Sequence, residues 1–161
     1  PKTVGLRLQI EQVHLLASLL RQENGLAPQL LRKMGITVES LDAAVLQELG
    51  KLPRVTGSGR EADKYYVARA VDEALSRAEK IADEMKDDFV SVEHLLLALI
   101  ETADSTLKRL FSTYNITNER CLQALVFFLF FFVKLGRIFK QDNTPHHTAF
   151  CLRLGIIDGF A

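Results

Sequence analysis

The apolar residues Val71, Leu75, Ala78, Ile81, Ala82 and Met85 recur at steps of three and four, the spacing that lines one face of a helix with 3.6 residues per turn. They predict a long amphipathic helix over residues 67–86. A second stripe, Leu95, Leu96, Leu99 and Ile100, follows Ser91, whose hydroxyl suits a helix N-cap. Val90 and Leu95 have the spacing of a hydrophobic staple across that cap. Thr37 and Thr117 repeat the device, each preceded by isoleucine (Ile36, Ile116) and followed at the fourth helical position by Leu41 or Cys121.

The repetition is general. Ile10-Glu11-Gln12-Val13-His14-Leu15-Leu16-Ala17-Ser18-Leu19-Leu20 reappears eighty positions later as Val90-Ser91-Val92-Glu93-His94-Leu95-Leu96-Leu97-Ala98-Leu99-Ile100, and the alignment runs without a gap to Ile36-Thr37 and Ile116-Thr117. A single such unit usually cannot bury its apolar face, whereas two stacked copies can. The expected fold is therefore all-α, a duplicated helical bundle. The counterpart of the 67–86 helix should lie before Ile10, where only nine residues stand, with Pro1 and Gly5 among them, too few for that helix. The first copy is expected to lack its opening helix.

Between the copies, Lys51-Leu52-Pro53-Arg54-Val55-Thr56-Gly57-Ser58-Gly59-Arg60-Glu61 reads as a polar connector. Its glycines do not make a phosphate loop, because the G-x-x-x-x-G-K-[ST] spacing and a preceding strand are both missing. Composition changes sharply near Leu125. Up to that point there are 16 basic and 18 acidic residues and two phenylalanines, Phe89 and Phe111; the other eight phenylalanines lie in residues 126–161. The run Val126-Phe127-Phe128-Leu129-Phe130-Phe131-Phe132-Val133 shows neither a 3.6 nor a 2.0 period and is far shorter than the roughly 18 apolar residues of a membrane span. It is expected to be neither an amphipathic helix nor a transmembrane one.

With 161 residues, 48% hydrophobic and 25% charged, the chain has enough length for one core. Lys plus Arg and Asp plus Glu both number 20, so no summed field draws it to nucleic acid or an anionic membrane. Cys121 and Cys151 form no CxxC pair, and residues 1–20 lack a charged-then-apolar leader pattern; a reducing cytosol is the expected setting. His14 and His94 fall at the third position of the repeated helices and read as packed structural residues. His146, His147 and Cys151 lack a fourth ligand for a metal site. No Ser/His/Asp or Cys/His arrangement is present, so neither catalysis nor a cofactor is expected.

The paired cores, the connector Lys51-Leu52-Pro53-Arg54-Val55-Thr56-Gly57, the stretch from Phe89 to Ile100 and Leu107-Lys108-Arg109-Leu110-Phe111 together resemble the amino-terminal Clp repeat domain of ClpB-type disaggregases. The resemblance covers about residues 8–125: copy one at about 8–50, the connector at 51–63 and copy two at about 64–125. It implies a pseudo-twofold bundle of eight helices, here missing its first, which stands ahead of AAA+ ATPase modules and engages unfolded or aggregated polypeptide without catalysis, through a shallow apolar groove. By the same resemblance Leu75 is a floor contact of that groove, and Asp87 and Glu93 are rim carboxylates. The residues themselves leave other roles open: Leu75 fits the core stripe, Asp87 a turn, and Glu93 an acid favoured by the positive end of a helix. ClpC- and ClpA-type domains share the duplication, so adaptor docking is a rival function, and a nonfunctional fragment is another.

The sequence departs from the family at Val13, which stands where copy two has Glu93, and after Leu125, where no ATPase module follows. The expected source of the Phe-rich tail is a truncated or frame-shifted reading. Lacking a helix that would bury five or six apolar side chains, the bundle should be marginal, and residues 126–133 should drive self-association as a β-prone, uncharged run.

Overall fold

The computed structural model describes residues 9–52 and 66–138. Seven helices dominate it: α1 (Gln12–Leu20), α2 (Leu26–Lys33), α3 (Val38–Lys51), α4 (Arg69–Met85), α5 (Val92–Glu101), α6 (Ser105–Thr113) and α7 (Asn118–Ile138). Two short strands, β1 (Gln9–Ile10) and β2 (Tyr66–Val67), pair in parallel, Gln9 beside Tyr66 and Ile10 beside Val67. The eighty-residue offset carries α1 onto α5, α2 onto α6 and α3 onto α7, so the duplication is one of structure, and α4 has no counterpart among the described residues. The opening of the first copy before Gln9, the connector beyond Leu52 and the His146, His147 and Cys151 cluster lie outside the described residues.

The helix ends are duplicated with the cores. After α2, Gly35 takes a left-handed φ of 78°, and after α6, Asn115 takes one of 53°. In each case the next isoleucine closes the helix backward: Ile36 N–H donates to Leu31 C=O (3.0 Å) and Ile116 N–H to Phe111 C=O (2.8 Å). This is the Schellman arrangement, in which a left-handed residue turns the chain so that its successor satisfies a terminal carbonyl. Ile36 and Ile116 are then buried, as are Leu41 and Cys121 one turn into the following helices. Thr117 Oγ1 accepts the Arg120 N–H at 3.3 Å, whereas Thr37 makes no such side-chain cap.

One core runs through both copies. At its centre lies α5, packed against α1, α2, α4, α6 and α7. This corrects the expectation of a single stripe: Leu97 and Ala98 are buried along with Leu96 and Leu99, because a helix surrounded by neighbours buries every side it can. On α4 the buried side is Val71, Ala74, Ala78, Ile81 and Ala82. Leu75, one residue beyond Ala74, is turned outward. The run from Val126 onward is a second correction, for it continues α7 as helix. Leu125 is buried, and Phe128 and Leu129 pack against the core, while Phe127, Phe130 and Phe131 face outward. In a stretch where both sides are apolar, a helical period exists without any polar contrast to reveal it.

The repeats are tied together by polar contacts. The Gln12 carboxamide is wholly buried; its Nε2 donates to the Ala70 (2.7 Å) and Thr102 (3.0 Å) carbonyls, and its Oε1 accepts the Asp104 N–H at 2.9 Å. Tyr114 Oη donates to Ser40 C=O at 2.8 Å, Arg109 meets Glu48 at 2.8 Å, and Arg120 donates to the Met34 carbonyl. Replacing Gln12 by Leu orphans the Asp104 N–H and the Thr102 carbonyl, each costing about 1–3 kcal/mol, while the Ala70 carbonyl keeps its place in the α4 helix. Urea unfolding of Gln12→Leu should show a loss of at least about 2 kcal/mol with an unchanged m-value. The near-isosteric Gln12→Glu, which cannot donate to the two carbonyls when ionised, should lose a comparable amount; a loss below about 1 kcal/mol in both would remove the carboxamide from this role.

Candidate functional site

The turn from α4 to α5 is built by backbone closure first. Lys86 adopts a left-handed φ of 62°; its N–H donates to Asp83 C=O (3.1 Å), and the Asp87 N–H donates to Ala82 C=O (2.9 Å). A Schellman end thus fixes Asp87 just past α4. The chain re-enters helix at Ser91, the N-cap of α5. His94, at the third helical position, reaches back so that its Nδ1 accepts the Ser91 backbone N–H at 3.0 Å. Copy one does the same, with His14 Nδ1 accepting the Glu11 N–H at 3.0 Å. Each histidine fills the place that glutamate or glutamine takes in a capping box.

That cap fixes the ring chemistry of His94. With Nδ1 an acceptor, the proton resides on Nε2, which donates to Asp87 Oδ2 at 2.9 Å. The ring is 1% exposed, and the Asp87 side chain is 27% exposed. One oxygen of Asp87 is therefore engaged inward while the carboxylate keeps access to solvent. Glu93 stands in the first turn of α5, where the positive helix end favours an acid, and it is partly exposed.

Leu75 is 43% exposed on the outer side of α4. Ten residues separate it from Met85, about 15 Å at roughly 1.5 Å per residue, so it sits well along the axis from the Asp87 and Glu93 corner. Asp87 and Glu93 share the α4–α5 turn region, and Leu75 stands apart from them along the same helix pair. The residue that sequence reasoning missed is Phe89. It is 81% exposed between Asp88 and Val90, the largest exposure of any described large hydrophobic side chain, and Val90 beside it is also exposed rather than closed over Leu95. A signal for it exists in the sequence: Phe89 falls outside the helical stripes on both sides of the turn, where an aromatic has no core position to fill.

Other groups offer little chemistry. Burial pushes the Cys121 thiol up to about 12, far from the range of a reactive thiolate. Glu84 and Glu101 both bind Arg77; the hydrogen bond to Arg77 holds the Glu84 carboxyl below its usual value. Among the described residues no group of three His, Cys, Asp or Glu side chains is placed to hold a metal ion, and no helix is long and apolar enough to cross a membrane.

Comparison with known proteins bears on this arrangement. The family model of the Clp repeat (R) N-terminal domain matches residues 7–114. The chain belongs to this family. The Clp repeat domain here is 41% identical over 118 residues to the chaperone protein ClpB of Bacillus anthracis, covering 73% of this chain and 14% of that one. It is 37% identical over 117 residues to ClpB of Clostridium tetani, with the same coverage. Its fold is similar to the Hsp104 N-terminal domain from Candida albicans, with a TM-score of 0.61 and 21% identity over 74% of this chain and 75% of that one. The matched Clp repeat thus spans about one seventh of the ClpB relatives' length, and within the described residues it is the all-α, duplicated bundle that the resemblance implied.

The inward hydrogen bond of Asp87 sets a condition on any test of it. Asp87→Ala leaves the buried His94 Nε2–H without its acceptor and should cost about 1–3 kcal/mol in urea unfolding. Asp87→Asn keeps an acceptor oxygen at the same place and should cost less than about 1 kcal/mol. Equal losses would show that the carboxylate does not support the ring.

Proposed function

We propose that this Clp repeat domain binds unfolded or aggregated polypeptide without catalysis, as the substrate-recognition part of a ClpB-type chaperone. The observation that carries the reading is the pair of outward apolar side chains on α4 and the α4–α5 turn, Leu75 and Phe89. Both stand on a helix pair whose apolar residues are otherwise largely buried, so their exposure is not a packing requirement. Phe89 on the turn that holds both acids, with Leu75 further along α4, suits an extended chain that spans them, offering side chains to the apolar groups and backbone amides or basic groups to the acids. Asp87 and Glu93 are the carboxylates of this reading, with Leu75 and Phe89 as its apolar contacts. The ClpB relatives carry the name chaperone protein, which supports the class of activity. The working unit we propose is residues 1–125, with its copies meeting at the 51–63 connector.

Fluorescence anisotropy with a labelled, permanently unfolded casein-like chain tests the site. Losing most of one partly exposed Leu or Phe contact is worth about 1 kcal/mol, so Leu75→Ala and Phe89→Ala should each raise Kd about fivefold. Their unfolding free energies should stay within about 0.5 kcal/mol of the parent, as surface substitutions do. Unchanged Kd in both folded variants, or saturable binding to one folded protein with none to unfolded chains, would overturn the proposal.

A further inference from the structure

Behind the turn that carries Phe89 lies a buried group able to take up a proton. Histidine is the side chain whose charge ordinarily changes between about pH 5 and about pH 8, and one nitrogen of the His94 ring faces two different groups of Ser91. Its Nδ1 lies 3.0 Å from the Ser91 backbone nitrogen and 3.0 Å from Ser91 Oγ. In the neutral ring the Nδ1 lone pair accepts the Ser91 N–H, while Nε2–H donates to Asp87 Oδ2 at 2.9 Å. A second proton from solvent can enter only at Nδ1, since Nε2 already carries one. The lone pair then becomes an N–H bond that points at the Ser91 N–H, and the two donors part. Ser91 Oγ is the acceptor left within reach, so the ring stays seated between Oγ and Asp87 while the Ser91 N–H is released to water.

Among the described residues, the charged group bonded to the ring is Asp87. On α4, which lies against α5, the acids and bases other than Arg77 are exposed, including Glu79, Lys80, Asp83 and Glu84 nearest the turn. Arg77 is held by Glu84 and Glu101. Arg32 and Lys33 of α2, Lys108 and Arg109 of α6 and Glu119 of α7 are exposed, and Arg120 is bonded to the Met34 and Asn115 carbonyls. The titratable side chain within α1 is His14, whose Nδ1 accepts the Glu11 N–H. Of the remaining neighbours in sequence, Lys86 and Asp88 are exposed and Glu93 is partly so. The charge that answers a proton on the ring is therefore that of Asp87.

We propose that protonation of His94 switches the α4–α5 turn from a tied form that binds polypeptide to a released form that binds it weakly. The switch rests on the polypeptide-binding reading of Phe89 and Asp87. Two changes act together at that surface. Without the Ser91 N–H bond, the turn bearing Phe89 loses its tie to the His94 ring and keeps the closure at Asp87, so ordering it against a client costs more. With an imidazolium bonded to Asp87, the carboxylate is neutralised toward basic groups of the client. The sign follows from the geometry: the neutral ring favours binding, so affinity is highest above the titration of His94 and falls as the pH falls through it. By reciprocity, a bound client opposes protonation of the ring.

Fluorescence anisotropy of the full chain tests the coupling, with a labelled, amidated, unfolded peptide of apolar and basic residues free of His, Asp and Glu, between about pH 8 and about pH 5.5. The Kd of the parent should rise about fivefold in acid, the equivalent of one hydrogen bond. His94→Gln keeps an acceptor for the Ser91 N–H, glutamine being a usual capping-box residue at this position, and takes up no proton. Its Kd, whatever the value at the upper pH, should change less than about twofold. Hydrogen exchange reads the turn without a client: protection of the Ser91 amide in the parent should fall at least about fivefold in acid, measured against the Cys121 amide, which donates to Thr117 C=O. It should hold in the variant. A flat Kd in a parent that binds the peptide, an equal acid loss in both proteins, or Ser91 protection unchanged while long-range ¹H–¹⁵N spectra show Nδ1 protonated would each overturn the switch. Absence of peptide binding at every pH would overturn the binding reading and the coupling with it, whereas a proton-linked loss of Ser91 protection in the same samples would still establish the release of the turn. If circular dichroism shows His94→Gln unfolded, the parent decides alone: Kd and Ser91 protection must follow the titration of Nδ1, and a divergence overturns the proposal.

Discussion

A single buried carboxamide sets the relation of the two repeats. Gln12 opens α1 and meets three places in the second copy at once: the first turn of α4 at Ala70, the end of α5 at Thr102 and the N-cap of α6 at Asp104. Two of these groups, the Thr102 carbonyl and the Asp104 N–H, stand at helix ends that leave them without an intrahelical partner. Non-directional packing alone would allow the repeats to slide against one another by small amounts. A carboxamide with two carbonyl acceptors and one N–H donor admits one position, since any slip leaves buried polar groups unpaired. The eighty-residue counterpart of Gln12 is Val92, which packs against the core. The duplication is thus broken at a place where a link between copies needs a polar group on one side only.

The features that remain duplicated are those that act within a copy. Gly35 and Asn115, the following isoleucines, and the histidines that bond back to Glu11 and Ser91 shape local chain reversals and helix starts, and these have the same physical requirements in each unit. The ties between copies are single: Gln12, Tyr114 to Ser40, Arg109 to Glu48 and Arg120 to Met34. Local stops survive duplication unchanged, while the interface has to diverge, because among the described residues α4 has no counterpart, so chemically different neighbours surround each copy.

The same division governs what the sequence could reveal. Helix existence, the α4 and α5 spans and the repeated helix starts at Thr37 and Thr117 were legible because they depend on spacing within a few residues. Leu75 was not resolved, since both it and Ala74 lie at helical steps from Val71, and the choice between them depends on α5. The small Ala74 lets α4 approach α5 closely and turns Leu75 out, an outcome that hydrophobicity alone ranks the other way. The α7 continuation was hidden by uniform apolarity. The Asp87 to His94 bond spans a turn and seven residues, and its meaning depends on the His94 ring being buried and on its Nδ1 being used by the Ser91 N–H. Phe89 stands in the sequence as an aromatic without a core position, but helical stripes carry no information about residues of the turn between them.

The geometry of the α4–α5 turn bears on the polypeptide binding proposed for this domain. Asp87 is fixed twice, by its backbone N–H closing α4 and by its carboxylate accepting His94. Its solvent-facing oxygen surface is therefore already oriented, and contact with a client would cost less ordering than contact with an untethered acidic side chain. Phe89 stands two residues away on the same short turn, bounded by the Schellman end of α4 and the histidine cap of α5. The backbone of Phe89, on so short and so closely tied a loop, has little conformational freedom left to lose. Under the proposed reading such a surface would gain affinity through preorganisation instead of area, leaving the recognition of side chains loose and the position of a bound chain defined.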